Sequence, residues 1–348
     1  MRFGYLFLWV LLLAALGVCT FAEGTESQAV LEPVVALENP RHLDQDDMCI
    51  WVHPERPEQS VIVTSDKTAE KLFVYDLEGN TLQELPVDGQ PGNIDLRYGF
   101  PLGGKAVDIV AYNDRTRKVI RVYAVDAKTR NLARVDDGSI ATGLNYGFAL
   151  YRSPKSQKFY AFTVAEELPG GAEQFELMDN GDGRVTGKKV RAWAQPKSEG
   201  CVADDETGRL YIGEEEGGIW ALGAEPDDAT PGEIVIPIAQ YGFAPDIEGL
   251  TILYGPEGAG YLIASSQGNG QYKVFDRQAP HAYITTFTVA GATDTDGIDL
   301  VNVPLGPKFP GGVFTLHNGA TKPCRVLVCD LSKLGIETWT RAVDARRK

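Results

Sequence analysis

Six short segments of one kind recur along the 348-residue chain, and their spacing constrains the fold more than any other feature. Residues 72–76, 122–126, 174–179, 219–222, 272–276 and 326–330 are apolar or β-branched runs, nearly all leading into a polar or glycine-containing turn. Their anchors, Tyr75, Tyr123, Phe175, Trp220, Phe275 and Val328, stand 48, 52, 45, 55 and 53 residues apart. A period of about 50 residues built from short strands predicts a β-propeller, and six anchors predict six blades. Long helical periodicity is missing, so the expected class is all-β: a six-bladed β-propeller with a central channel.

Two further apolar stretches precede each anchor. Inner strands are expected to begin at 46–52, 93–96, 146–150, 199–203, 248–252 and 296–300, and second strands to end near Lys67, Arg115, Glu166, Glu215, Gln267 and His317. In an antiparallel pair the start of one strand lies beside the end of the next, so these positions should ring one mouth of the channel. That ring would collect Asp47, Asp95, Glu199, Glu215, Glu248 and Asp296, with Asp246 two residues before Glu248. Two like charges 4 Å apart repel by about 4 kcal/mol at an effective dielectric of about 20. A crowd of carboxylates therefore points to hard divalent cations, and oxygen-only ligation favours calcium over zinc. A single such acid reads as a solvated turn residue; repetition at equivalent positions argues for a site. Lys67 and Arg115 share the ring, either as salt-bridge partners or as ligands of an anionic group such as phosphate.

Composition removes other chemistries. Asp plus Glu number 48 against 33 Lys plus Arg, a net charge of −15, so neither nucleic acid nor a stable membrane partner is expected. His42, His53, His281 and His317 are the histidines, and no HExxH pair, Cys-x5-Arg loop, Gly-x-Ser-x-Gly elbow or CxxC pair occurs. Residues 99–105 approach a phosphate-binding loop but place Ala106 where Ser or Thr is needed, and 179–183 read as a hairpin turn. The apolar run 5–16 after Arg2 predicts a signal peptide over 1–22, cleaved after Ala22, and hence export to the periplasm or medium. Lipidation at Cys19 is disfavoured because Val18 precedes it. A short polar leader, 23–33, and a propeller over 34–340 complete the organisation. Cys49, Cys201, Cys324 and Cys329 remain, as free thiols or as disulfides.

The stretches 46–54, 74–79, 93–98 and 146–148 stand out, as do the runs Pro-Asp-Ile-Glu-Gly-Leu at 245–250, Ser-Ser-Gln-Gly-Asn at 265–269 and Asp-Thr-Asp-Gly-Ile-Asp at 294–299. Together they resemble the β-propeller phytases, calcium-dependent alkaline phytases of the 3-phytase type. The resemblance spans about 34 to 316. It implies hydrolysis of phosphomonoesters of myo-inositol hexakisphosphate by a calcium-activated water, with several Ca2+ ions and calcium phytate as the substrate of a monomer. The implied metal ligands are Asn93, Asp95, Tyr146, Glu199, Glu215, Asp246, Glu248, Gln267 and Asp296, with Asp47 at a more structural ion. Lys67 and Arg115 match phosphate-binding positions; with Tyr146, Glu199 and Glu215 they form the implied catalytic set, the two glutamates being candidates to orient water. Glu166 stands where the family carries Lys, and the loop before Asp294 is shorter than in Bacillus-type enzymes. A calcium-dependent lactonase or esterase propeller and a non-catalytic exported ligand-binding propeller are the competing readings.

Overall fold

The computed structural model describes residues 29–143, 145–167 and 170–343; the expected signal peptide lies outside them. Six sheets of four or five strands follow one another along the chain, each an antiparallel meander from the channel outward. Blade 1 comprises Gln45–Trp51, Val61–Asp66, Lys71–Asp76 and Thr81–Pro86; blade 2, Pro91–Leu102, Lys105–Asp114, Val119–Val125 and Leu132–Arg134. Blade 3 holds Gly147–Arg152, Phe159–Val164, Ala172–Asp179 and Val185–Trp193; blade 4, Ser198–Asp204, Arg209–Glu214, Gly218–Gly223 and Glu233–Pro237. Blade 5 is built from Ile247–Tyr254, Gly260–Ser266, Gln271–Asp276 and Tyr283–Val289, and blade 6 begins with Ile298–Val301, Val313–Asn318 and Arg325–Asp330. The six repeated segments are thus the third strands, and the period corresponds to one blade.

The ring closes through the amino-terminal side of the chain. Pro33–Leu37 pairs antiparallel with Arg325–Asp330 as the outer strand of blade 6. Ala29–Leu31, within the expected leader, adds a parallel fifth strand to blade 5. Closure leaves blade 6 with a covered third strand rather than an exposed ladder of unpaired backbone groups. Apolar clusters fill the wedges between blades: Tyr151, Phe162, Leu210 and Ile212 lie in one cluster between blades 3 and 4. Trp51 is wholly buried, and its indole N–H donates to Asp108 of blade 2 at 2.8 Å, locking those blades together. Burying such a side chain contributes roughly 1.5–3 kcal/mol. Cys49, Cys201, Cys324 and Cys329 are free thiols.

Candidate active site

A repeated backbone irregularity builds the mouth. In blade 1 the pairing passes from Gln45↔Asp66 to Met48↔Thr64, so Asp46 and Asp47 together face Ser65. The same two-against-one bulge puts Gly92 and Asn93 opposite Asn113, Glu199 and Gly200 opposite Gly213, and Glu248 and Gly249 opposite Ser265. A bulge re-aims a side chain and ends regular pairing, here at one end of the inner strands. Glycine after an acid then serves the ring itself. A Cβ on Gly200 would stand 1.7 Å from the carbonyl oxygen of Glu248, and one on Gly249 would stand 2.7 Å from that of Asp296. Each acid-glycine pair therefore lets the next blade's acid approach, and the backbone N–H of Gly249 donates to the Asp296 carbonyl at 3.1 Å.

Two acid groups converge there. Glu199, Glu248 and Asp296, all buried, place one oxygen each within 4.8 Å of one another; Glu215, Asp246 and Glu248 do the same. Glu248 belongs to both. Burial first, and then repulsion from neighbouring acids (Asp46 for Glu199, Glu199 and Asp296 for Glu248, Asp46 and Glu199 for Asp296), pushes Glu199 above the usual carboxylate range and Glu248 and Asp296 well above it. Glu215 is raised by burial and by Asp246, although Lys197 opposes the shift. One oxygen each of Glu248, Glu215 and Asn93 is buried without a hydrogen-bond partner among the described residues. An acid cluster with unpaired oxygens fits a pair of adjacent divalent cations, because cations would supply the missing partners and the missing charge.

Cations of the protein flank these acids. Lys67 is ion-paired with Asp46 and stands 3.8 Å from Asp44. Arg115 packs its guanidinium 4.1 Å from the centre of the Tyr146 ring, with Nη2 3.5 Å from Glu199 and not hydrogen-bonded among the described residues. Burial and the neighbouring Glu199 carboxylate push the Tyr146 hydroxyl up, and the residue's backbone carbonyl accepts from Asn113 at 2.9 Å. Lys197 was not singled out in the sequence, yet its ammonium lies 5.9 Å from the same ring and 2.6 Å from Glu215. Glu166, exposed on the rim, acts electrostatically on both Arg115 and Lys197. Lys197 therefore occupies the part of the rim where Glu166 replaces the expected lysine. Gln267 joins the rim through its backbone N–H, which donates to the Asp246 carbonyl at 3.0 Å.

Two expected ring residues face elsewhere. Asp95 pairs with Ala111, beyond the bulge, and its carboxylate is taken by Arg97 at 2.9 Å and by the Leu150 N–H at 2.8 Å. It lines the channel below the acids, a cavity of about 430 Å³ where Arg97 also reaches Asp205 at 2.8 Å. Four residues of strand separate Asp95 from Arg115, about 13 Å, so the two are not neighbours. Asp47 accepts from the Ile94 N–H at 3.0 Å and from the Met48 N–H at 2.9 Å, joining blades 1 and 2. Asp46, by contrast, occupies the bulge position of Glu199 and Glu248 and acts electrostatically on Glu199 and Asp296.

Residues 14–329 match the family described as Phytase. The chain belongs to the phytase family. It is 43% identical to the 3-phytase of Bacillus subtilis (strain 168) over 287 residues, covering 79% of this chain and 74% of that one. Among solved structures it resembles a luciferin-regenerating enzyme (TM-score 0.55, 13% identity, 90% of this chain and 98% of that one). Regucalcin, a calcium-binding protein of Agrobacterium tumefaciens str. C58, is alike to the same degree (TM-score 0.55, 11% identity, 90% and 97%). At such identities these likenesses show the propeller alone. The family makes the chain a phytase, a phosphoric monoester hydrolase with a small-molecule substrate, and the acid groups of its mouth are the kind that can hold metal ions.

Proposed function

We propose that the channel mouth hydrolyses phosphomonoesters of myo-inositol hexakisphosphate in a calcium-dependent reaction. The observation that carries this reading is the pair of acid groups sharing Glu248, with unpaired buried oxygens and a fringe of Lys67, Arg115 and Lys197. Phytate is a dense polyanion, and a chain of net charge −15 would repel it without bound cations. Glu199, Glu248, Asp296, Glu215 and Asp246, with Asn93 and Gln267 beside them, would hold Ca2+. Ions held there would neutralise the acids, attract phosphate and make water more acidic.

The protein's own groups then position the phosphate. Arg115 is held over the Tyr146 ring, with one guanidinium nitrogen unsatisfied and able to donate to a phosphate oxygen. Lys67 and Lys197 offer further ammonium groups on either side of the acids. Glu199 and Glu215 would orient the attacking water. Phosphoryl transfer needs chiefly such positioning and charge stabilisation. The reading includes an exported protein, which an amino-terminal mass beginning at Glu23 would support. Phosphate release from phytate, with and without a calcium chelator, tests the whole. Undiminished release after verified metal removal overturns the calcium site, and turnover of a lactone panel but not of phytate overturns the substrate.

A further inference from the structure

One side-chain cluster beside the mouth differs in kind from the acid groups. Asp44 precedes the inner strand of blade 1, His317 lies near the end of the second strand of blade 6, and Cys324 precedes that blade's third strand. A parallel backbone bridge joins Asp44 to Cys324, and the His317 N–H donates to the Gly297 carbonyl at 2.9 Å, so all three positions are tied down. A carboxylate oxygen, an imidazole nitrogen and the thiol sulfur lie within 4.8 Å of one another. His317 is 6% exposed and Cys324 1%, too deep for the thiol to attack a substrate. The His317 Nδ1 is buried without a hydrogen-bond partner among the described residues, an omission that typically costs about 1–3 kcal/mol.

We propose that Asp44, His317 and Cys324 form a second metal site that takes a borderline cation such as Zn2+ in preference to Ca2+. Thiolate and imidazole donors select such ions, whereas the mouth offers oxygen alone. Three protein donors leave a fourth position open, as in zinc sites that keep a water. Tetrahedral zinc places its donors about 3.3–3.8 Å apart, so side chains need close in by only about 1 Å. Lys322 is the present partner of the sulfur, 3.0 Å from it, and its side chain is exposed and free to withdraw into solvent. Lys67, 3.8 Å from Asp44, sets the site against the phosphate-binding rim.

Cobalt(II) is the probe. Titrated into calcium-saturated protein, Co2+ should develop a near-ultraviolet thiolate-to-cobalt band together with visible bands of tetrahedral intensity, and Zn2+ should erase both. Cys324→Ser should abolish the thiolate band while keeping a cooperative melt. Asp44→Asn should retain the band but weaken Co2+ binding by about tenfold or more. No thiolate band in the wild type, or one that survives in Cys324→Ser, overturns the proposal. If Cys324→Ser does not fold, X-ray absorption of the zinc-loaded wild type decides: one sulfur and one imidazole among the nearest neighbours support the site, and an all-oxygen shell overturns it.

Discussion

Replacing Glu248 by Gln should change stability in opposite directions with and without calcium. Its carboxylate lies within 4.8 Å of Glu199 and Asp296 in one group and of Glu215 and Asp246 in the other. At that separation each pair of full charges repels by about 3.5 kcal/mol at an effective dielectric near 20. Protonation relieves part of this, since Glu248 is held well above the usual carboxylate range by burial, Glu199 and Asp296. We therefore expect Glu248→Gln to stabilise the metal-free protein by about 1–3 kcal/mol. At about 2.1 cal/mol/K per residue, 1 kcal/mol moves the Tm of a propeller of about 310 residues by about 1.5 °C, so the increase should be about 1.5–4.5 °C. In calcium the order reverses, because the amide supplies less charge to both groups. Calcium affinity should fall at least about tenfold, or 1.4 kcal/mol, and turnover with it. The assay is a melt of each protein after chelation and across a calcium titration, with phosphate release followed in parallel. If the variant melts below wild type without metal and binds calcium normally, Glu248 is a hydrogen-bonded turn acid and the shared-ligand argument fails.

Four other outcomes follow from the same geometry. Arg115→Ala, at saturating calcium, should lower kcat/KM for phytate about ten- to more than a hundredfold, the equivalent of a charge-assisted hydrogen bond of about 1.5–3 kcal/mol; Arg115→Lys should restore part, and a loss within twofold would make Arg115 structural. Lys197→Ala should raise KM about three- to tenfold without weakening calcium binding, because it frees the buried Glu215 carboxylate from a half-exposed lysine that competes with the metal; weaker calcium binding at unchanged KM would mean that Lys197 merely orders Glu215. Gly200→Ala forces a Cβ against the Glu248 carbonyl and should cost at least the roughly 1–3 kcal/mol typical of overpacking, read as a lower Tm, with weaker calcium binding; a neutral result would refute the packing role. Glu199, Glu248, Asp296 and Asp47 hold protons in the metal-free fold that the unfolded chain has already released, so metal-free stability should fall as pH rises from about 4 towards their raised values. The Tm gap between calcium-loaded and metal-free protein should accordingly widen with pH, and a constant gap would contradict it.

Blade number and the third strands were legible because each blade repeats one local solution: a short apolar strand ending in a turn, buried between neighbours. Outer strands were harder to read. Thr81–Pro86 is half-buried up to its exposed last residue and has no run of apolar residues to announce it. The closing strands, Pro33–Leu37 and Ala29–Leu31, pair with partners roughly 250–290 residues away in sequence, which local pattern cannot encode.

The site divides in the same way. Glu199, Glu248 and Asp296 share the acid-glycine pair, a signal that is chemical and steric at once: the acid faces the mouth and the glycine admits the next blade. Asp95 carries no such glycine, and reading it as equivalent ignored the bulge. One extra residue in the inner strand moves every later side chain one step along the ladder. That step leaves Asn93 in the bulge and turns Asp95 to Arg97, while in blade 1 it makes Asp46, not Asp47, the counterpart of Glu199. Lys197 precedes its strand and has no repeat counterpart, so pattern could not single it out. What marks it is a relation between blades: a lysine before blade 4 and an arginine after the second strand of blade 2 both meet the Tyr146 ring, across acids whose charge neither could balance alone. In a propeller, a site at the mouth is made of such cross-blade relations, so residue types can be read from the repeat and their pairings only from the closed ring.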